Sequence, residues 1–324
     1  MENKPTRDGF GEGLCDLGKT HPHVVALSGD LEDSTRAVWF KKQYPDRFFS
    51  VGIAEQDMIG TAAGLALAGK IPFACSFSEF VTAKALEQLR MAVCYQQLNV
   101  KIAGSHGGLS VGADGATAEA LEEFTHMRSL PHMTVIAPCD AIEAKKATIA
   151  AADYPGPVFL RLGRSPVPTL TQSSDPYQIG RAIVMRPGDD VSLIACGLMV
   201  AHALEAAEAL VASGIQARVI NCHTIKPLDQ QTILAAAKET AALVSVEEHT
   251  VVGGLGGALA ELIVQHAPVP MRFVGIQDQF GISGDPDVLL RAFHLMPEDI
   301  VNATKELLRF KPESFGSRQP TKNA

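Results

Sequence analysis

Glu55 is the residue with the most chemistry to explain. It stands at the mouth of VGIAEQDMIGTAAGLALAG (51–69), a stretch of small and apolar residues with no charge between Asp57 and Lys70. Ile59, Ala62, Ala63, Leu65, Ala66 and Leu67 cover most of a helical circumference, so the spacing predicts a helix buried on several sides. An acid in the first turn of such a helix has a structural explanation, because unpaired N–H groups and the helix dipole favour an anion there. For an isolated Glu that explanation suffices, and only the surrounding chain can give the residue a further role.

Other chemistry-bearing residues fall at similar places. Asp30 and Ser34 follow the first predicted strand, Phe77 and Phe80 the third, and His106 and Asp114 the fourth. Each is ordinary alone, since an aromatic pair at helical spacing is usually core and a loop His is usually solvated. Gathered at one sheet edge, they place an acid, two aromatic faces and polar groups around one crevice. That set suits a flat heteroaromatic ligand, stacked on Phe and hydrogen-bonded by a carboxyl group.

The elements that must position these residues alternate between strand and helix. Helices are predicted over 7–19, 34–44, 51–69, 76–96, 119–127 and 140–152, with strands over 24–27, 48–51, 71–76, 100–103, 133–137 and 158–162. The run 104–117, GSHGGLSVGADGAT, is too rich in Gly for a regular element and reads as a functional loop. A second unit has strands over 191–195, 217–220, 243–246 and 271–275 and helices over 199–213, 229–240 and 255–265, with two more over 286–310. The expected fold is α/β, with two parallel sheets wrapped by helices and ligands at the carboxyl ends of the strands. The expected division is a first domain over 1–164, a Pro/Ser/Thr-rich linker over 165–178, a second domain over 179–310 and a polar tail over 311–324.

Composition excludes several classes. The net charge is −8 and no basic stripe occurs, which argues against nucleic acid. No apolar run reaches spanning length and the N-terminus lacks the apolar core of a signal peptide, so a cytoplasmic protein is expected. The six cysteines are scattered and read as buried free thiols, neither a disulfide frame nor a metal site.

GIAEQDM (52–58) resembles the motif of thiamine-diphosphate enzymes in the domain that holds the aminopyrimidine ring. SGDLEDS, CSFSEFV, SHGGLSVGADGAT, LRLGRSPVP and VEEHTVVGGLGGALAEL are similar, in order and spacing, to the C-terminal half of transketolases. The likeness runs from about Pro5 to Leu308 and is nearest to the short C-terminal subunit of split, two-gene transketolases. It implies a thiamine-diphosphate pyrimidine-binding domain followed by a transketolase C-terminal domain. The implied activity is transfer of a two-carbon ketol unit from a ketose phosphate to an aldose phosphate.

The same resemblance implies roles for single residues. Glu55 would hydrogen-bond a pyrimidine ring nitrogen, favouring the imino tautomer that takes the C2 proton of the thiazolium. Phe77 and Phe80 would pack around the pyrimidine, with Asp30 near the cofactor. His106 would act in catalysis and, with Ser34 and Arg164, bind the sugar phosphate; Asp114 would read a substrate hydroxyl. Ser34 as a helix N-cap and Arg164 as the partner of a local carboxylate are the plain structural alternatives.

Departures from the family pattern set further expectations. Ala83 stands where a third aromatic is usual, and Ala118 where a His follows the loop. Either Glu119 substitutes for that His or the site serves a different donor; as a plain alternative, Glu119 is a first-turn helix acid. VEEHTVVGGLGG, with Glu247, Glu248 and His249, lacks the G-x-G-x-x-G spacing of a dinucleotide loop and reads as a helix start packed against a subunit interface. The G-D-G motif that anchors Mg²⁺ and the diphosphate in this family does not occur in a suitable context. A partner N-terminal subunit is therefore expected to hold Mg²⁺ and most of the thiamine diphosphate, in a heterotetramer with two of each chain. The alternatives are the beta subunit of a 2-oxoacid dehydrogenase, a deoxyxylulose-phosphate-synthase-like enzyme, and a non-catalytic assembly subunit.

Overall fold

The computed structural model of the protein describes residues 3–310; the polar tail expected over 311–324 lies outside them. Its first part alternates α1 (Thr6–Thr20), β1 (Val24–Ser28), α2 (Ala37–Gln43), β2 (Phe48–Ser50), α3 (Glu55–Leu67), β3 (Ile71–Phe77), α4 (Leu86–Gln88), β4 (Lys101–Ser105), α5 (Glu123–Ser129), β5 (Thr134–Ile136), α6 (Ala141–Asp153) and β6 (Val158–Arg161). Its second part runs through β7 (Ile183–Arg186), β8 (Val191–Ala195), α7 (Met199–Val211), β9 (Ala217–Asn221), β10 (Thr224–Lys226), α8 (Gln230–Thr240), β11 (Leu243–Thr250), α9 (Leu255–His266), β12 (Met271–Ile276), α10 (Pro286–Ala292) and α11 (Pro297–Arg309).

The strands form a seven-stranded sheet in the order β10-β5-β6-β4-β3-β1-β2 and a five-stranded sheet in the order β12-β11-β8-β9-β7. Both are mainly parallel, as the alternating pattern predicts. β1 is parallel to β2 and β3, with Ser28 level with Ser50 and Cys75, and Phe77 of β3 is level with Ser105 of β4. On one face, Phe10 and Leu14 of α1 pack with Phe73 and Leu160 in a core that α6 completes. On the other, Met58 and Ile59 of α3 share a continuous core with Ile194, Ile233 and Leu259 from the second part. The two sheets are thus joined through apolar packing rather than through a bare linker.

Several expectations are corrected. α2 begins at Ala37, not at Ser34, because Asp30 and Arg36 take left-handed conformations (φ 66 and 67) and the intervening residues turn. Ser34 therefore caps no helix. The helix after β3 is wound as π-helix over Phe80–Lys84 and Leu89–Cys94, on either side of α4. Such wider turns in natural helices are frequent near functional sites. α3 is buried on one side only: Met58, Ile59, Ala62 and Ala63 face the core, while Gly60, Gly64 and Leu67 are exposed. β7 and β10 were absent from the sequence pattern. β10 belongs by sequence to the second unit, yet pairs antiparallel with β5 at the edge of the first sheet.

The segment after Ser165 has no regular element but is fastened down. Asp140 is fully buried and caps α6, its Oδ1 accepting from Glu143 N at 2.7 Å. The same side chain accepts from Leu170 N, Thr171 N and Thr171 Oγ1 at 2.6–2.9 Å.

α5 begins at Glu123, four residues beyond the expected start, so Glu119 is no first-turn acid. Its carboxylate is buried against the turn at Gly281, and neither oxygen has a hydrogen-bond partner among the described residues. Burial, and then the charges of Glu248 and Asp114, push its pKa up to about 7.

Two outcomes follow from these contacts. Asp140→Ala removes all four hydrogen bonds and should cost about 3 kcal/mol of stability, read by chemical denaturation. For Glu119 the folded state holds its proton more tightly than the unfolded chain, so stability is lost as pH rises from the ordinary 4.5 through about 7. Glu119→Gln should therefore melt a few degrees above the parent at pH 8, with the gain shrinking toward pH 5. A gain that is equal at both pH values would contradict this origin.

Candidate active site

Neighbouring strands deliver the site residues to one edge. Asp30 sits in the turn after β1, where Leu31 N donates to Ser28 Oγ at 3.1 Å. Glu55 is the first residue of α3 and is only 3 % exposed. Its Oε1 accepts from Ser76 Oγ on β3 at 3.3 Å, and its Oε2 lies 3.6 Å from Lys84 Nζ. Glu55, Ile53 and Lys84 line a cavity of about 550 Å³. Lys84 Nζ also rests 4.2 Å above the ring of Phe80. A buried carboxylate and an aromatic face therefore meet at one place, with an ammonium group bridging them.

Phe77 links this place to the next. Its ring stacks on Phe80 at 5.4 Å and on His106 at 3.8 Å between centroids. Ala118 packs with Phe77 and Val111 in a small apolar cluster that Leu31 and Phe80 flank. Where the family pattern carries a His, this chain has a wall of hydrocarbon. Glu119 does not replace that His, because its carboxylate lies beneath Gly281.

Beyond His106 is a cationic pocket that the sequence pattern did not disclose. Arg7 Nη1 donates to Ser34 O at 3.0 Å and meets His106 Nε2 at 3.4 Å. Burial, reinforced by Arg7, Arg164 and Arg36, holds the His106 pKa down to about 3, so the imidazole is neutral. A guanidinium can only donate, so Nε2 carries the lone pair and Nδ1–H is left to donate to Ser105 Oγ, 2.9 Å away. Arg164 Nη1 donates to Val111 O at 2.6 Å and lies 3.6 Å from Asp114 Oδ1. Arg164 and Asp114 thus meet as an ion pair, as the plain alternative for Arg164 allows.

Arg7, Arg36 and Arg164 line a cavity of about 650 Å³. Arg36 is held by Asp8 at 2.6 Å, and burial followed by repulsion from Arg36 lowers Arg7 to about 10. Guanidinium groups of this kind suit an anion, although Asp285 also lines the cavity and Arg36 and Arg164 each face a carboxylate. The fold brings Glu55, Phe77, Phe80, His106, Asp114 and Arg164 into one connected edge, with Asp30 and the backbone of Ser34 beside it. Arg7 was missed because a lone Arg at the start of an N-terminal helix carries no motif.

The Gly-rich run of the second part does not form a phosphate-binding loop. Glu247 Oε2 and Oε1 accept from Leu255 N and Gly256 N at 2.6 and 2.8 Å, filling the N-terminus of α9 with the protein's own carboxylate. A Cβ at Gly254 would collide with that carboxylate, and one at Gly256 with the ring of Phe273. Among the described residues no helix is long and apolar enough to cross a membrane. All six cysteines are buried and free.

Comparison with known proteins gives this geometry its context. Residues 2–169 match the family described as transketolase, pyrimidine binding domain, and residues 180–300 the family described as transketolase, C-terminal domain. The chain is 40% identical over 311 residues to the 6-deoxy-6-sulfo-D-fructose transketolase subunit SqwH of Clostridium sp. strain MSTE9, covering 96% of this chain and 97% of that one. It is 38% identical over 304 residues to an apulose-4-phosphate transketolase subunit of Phocaeicola vulgatus, covering 94% and 97%. A solved structure described as a split gene transketolase, inactive beta4 tetramer, superposes with a TM-score of 0.89 at 42% identity, covering 95% of this chain and 99% of that one. These likenesses favour a transketolase subunit over a 2-oxoacid dehydrogenase subunit or a deoxyxylulose-phosphate synthase. With its buried acid, aromatic wall and arginine pocket on one sheet edge, the chain belongs to the transketolase family and carries that family's pyrimidine-binding and C-terminal domains.

Proposed function

We propose that this chain is the C-terminal subunit of a two-component transketolase, moving a two-carbon ketol unit from a ketose phosphate to an aldose phosphate. The observation that carries the reading is the stack of Phe77 between two kinds of site. On one side lie Phe80 and, bridged to it by Lys84, the Glu55 carboxylate; on the other lie His106 and three guanidinium groups. The residues present fit thiamine diphosphate, since a flat heteroaromatic ring can use both the Phe80 face and the buried carboxylate. When bound, that cofactor supplies a carbon nucleophile and an electron sink for the transferred unit.

The chain's own residues supply the rest. Glu55 would hydrogen-bond a ring nitrogen of the aminopyrimidine, steadied by Ser76, while Phe77 and Phe80 would form the aromatic wall, with Asp30 on the same edge. His106 is neutral, and the lone pair on its Nε2, which Arg7 meets at 3.4 Å, is suited to accept a hydrogen bond from a substrate hydroxyl rather than to take its proton. Arg164 and Arg7, with Ser34 alongside, hold the sugar phosphate, and Asp114 reads a substrate hydroxyl from its place beside Arg164. Ala118 stands where the family pattern has a His, so its apolar wall is the place where donor choice would depart from that pattern.

A second polypeptide supplies Mg²⁺ and the diphosphate site in a cytoplasmic heterotetramer of two chains of each kind. The lack of a usable G-D-G motif in this sequence supports that division. The exposed side of α3, with Gly60, Gly64 and Leu67, and the neighbouring Ile53 lie beside Glu55 and offer the partner a close approach. The solved relative made of this kind of chain alone is described as inactive, which is the behaviour expected of half a site.

The test is the reconstituted pair, assayed with a ketose phosphate and separately with pyruvate as donor. Glu55→Gln should lower kcat by about 10²-fold or more without unfolding the chain. Arg7→Ala and Arg164→Ala should instead raise KM for the phosphorylated sugar by roughly tenfold or more. Turnover of pyruvate in preference to ketose phosphates, or full activity of the Glu55 variant, would overturn the reading.

A further inference from the structure

We infer that Glu248, on β11 of the second sheet, is a positioning residue for the Gly-rich loop that carries His106 and Asp114. Its Oε1 accepts from Ser110 N at 2.5 Å, within the short 3₁₀ turn Leu109–Val111 at the centre of that loop. Its Oε2 lies 3.2 Å from Arg161 Nη2, and the same Nη2 donates to Glu248 O at 2.9 Å. Arg161 Nε donates in turn to Glu123 Oε1 at 2.9 Å. The three side chains are at most 5 % exposed, so water cannot replace any of them.

The loop is shaped around this cluster. A Cβ at Gly107 would strike Arg161, and one at Gly108, which also needs φ 92, would strike both Arg161 and the Glu248 carboxyl group. The two glycines after His106 thus let the backbone lie on an ion pair between Arg161 of its own sheet and Glu248 of the other. Downstream of Ser110, the fixed backbone accepts from Ser165 Oγ at Ser110 O and from Arg164 at Val111 O. Glu248 is therefore linked to His106 at one end of the loop and to Arg164 at the other, without touching the cavity that both serve. A Gln at this position offers one acceptor and one donor, but the two atoms that the carboxylate meets, Ser110 N and Arg161 Nη2, are both donors, so one of the two contacts is lost.

The effect on catalysis rests on the proposed transferase reading, whereas the effect on the loop does not, and two measurements separate them. Hydrogen–deuterium exchange on the full chain should show Glu248→Gln exchanging at least tenfold faster across residues 106–114, with 55–67 unchanged. In the reconstituted pair the same variant should raise KM for the sugar phosphate more than it lowers kcat, and leave the thiamine diphosphate requirement unchanged. Should Glu248→Gln fail to fold, Glu248→Asp keeps the charge while drawing it back from Ser110 N, and is expected to show the same local pattern more weakly. Unchanged loop exchange in the folded variant, or faster exchange spread evenly over both sheets, would overturn the inference. A local exchange change with no ketol transfer in the parent pair would instead count against the transferase reading.

Discussion

Neighbouring parallel strands are the constraint on which the site depends. β2, β1, β3 and β4 lie side by side and point the same way, so every connection leaving their carboxyl ends opens on one edge. That places Asp30, Glu55, Phe77 and His106 together although 76 residues separate the first from the last. β1, β3 and β4 are almost wholly buried, and apolar packing on both faces fixes their register. A one-residue slip of β3 would turn Phe77 away from His106 and Ser76 away from Glu55. The chemistry is held by the sheet, and the loops only finish it.

The second sheet contributes by contact rather than by chemistry of its own. Burying Arg161, Glu123 and Glu248 together is costly, and such clusters bring little net stability compared with apolar packing. Removing one member is another matter, at about 3–5 kcal/mol for a buried pair. The cluster therefore specifies an arrangement more than it strengthens the fold. His249 belongs to the same seam: burial lowers its pKa to about 3, and its neutral ring accepts from Phe124 N at 3.1 Å through Nε2. Nδ1–H then donates to Thr250 O within β11 at 2.7 Å, fixing the ring so that its Nε2 ties β11 to the start of α5. Glu247, Glu248 and His249, three successive residues, each hold a different backbone segment in place.

Much of this was legible in the sequence because it rests on local pattern. The buried strands are short apolar runs between turn residues, and the acid before a small-residue helix marks Glu55 without any partner being known. Asp140, Asp229 and Asp285 each precede a helix, and each caps one. What stayed hidden depends on contacts made far along the chain. Arg7 acquires meaning only when α1 brings it beside Ser34 and His106. β10 is three residues long and is a strand only because β5 is there to pair with it. The left-handed turns at Asp30 and Arg36 delay α2, and the two π-helical segments re-aim the chain after Phe80, yet neither position holds a Gly or Pro to announce it. Glu119 looked like a helix acid because its neighbours are good helix formers; packing beneath Gly281 overrides that preference.

The central claim is that the Glu55 edge is half of a site completed by another chain. Calorimetric titration of thiamine diphosphate with Mg²⁺ into the purified chain, and into the chain mixed with an N-terminal transketolase subunit, tests it most directly. Saturable binding should appear only in the mixture, together with ketol transfer, and should be lost when Glu55 is replaced by Ala. Tight binding and transfer by the chain alone would contradict the claim.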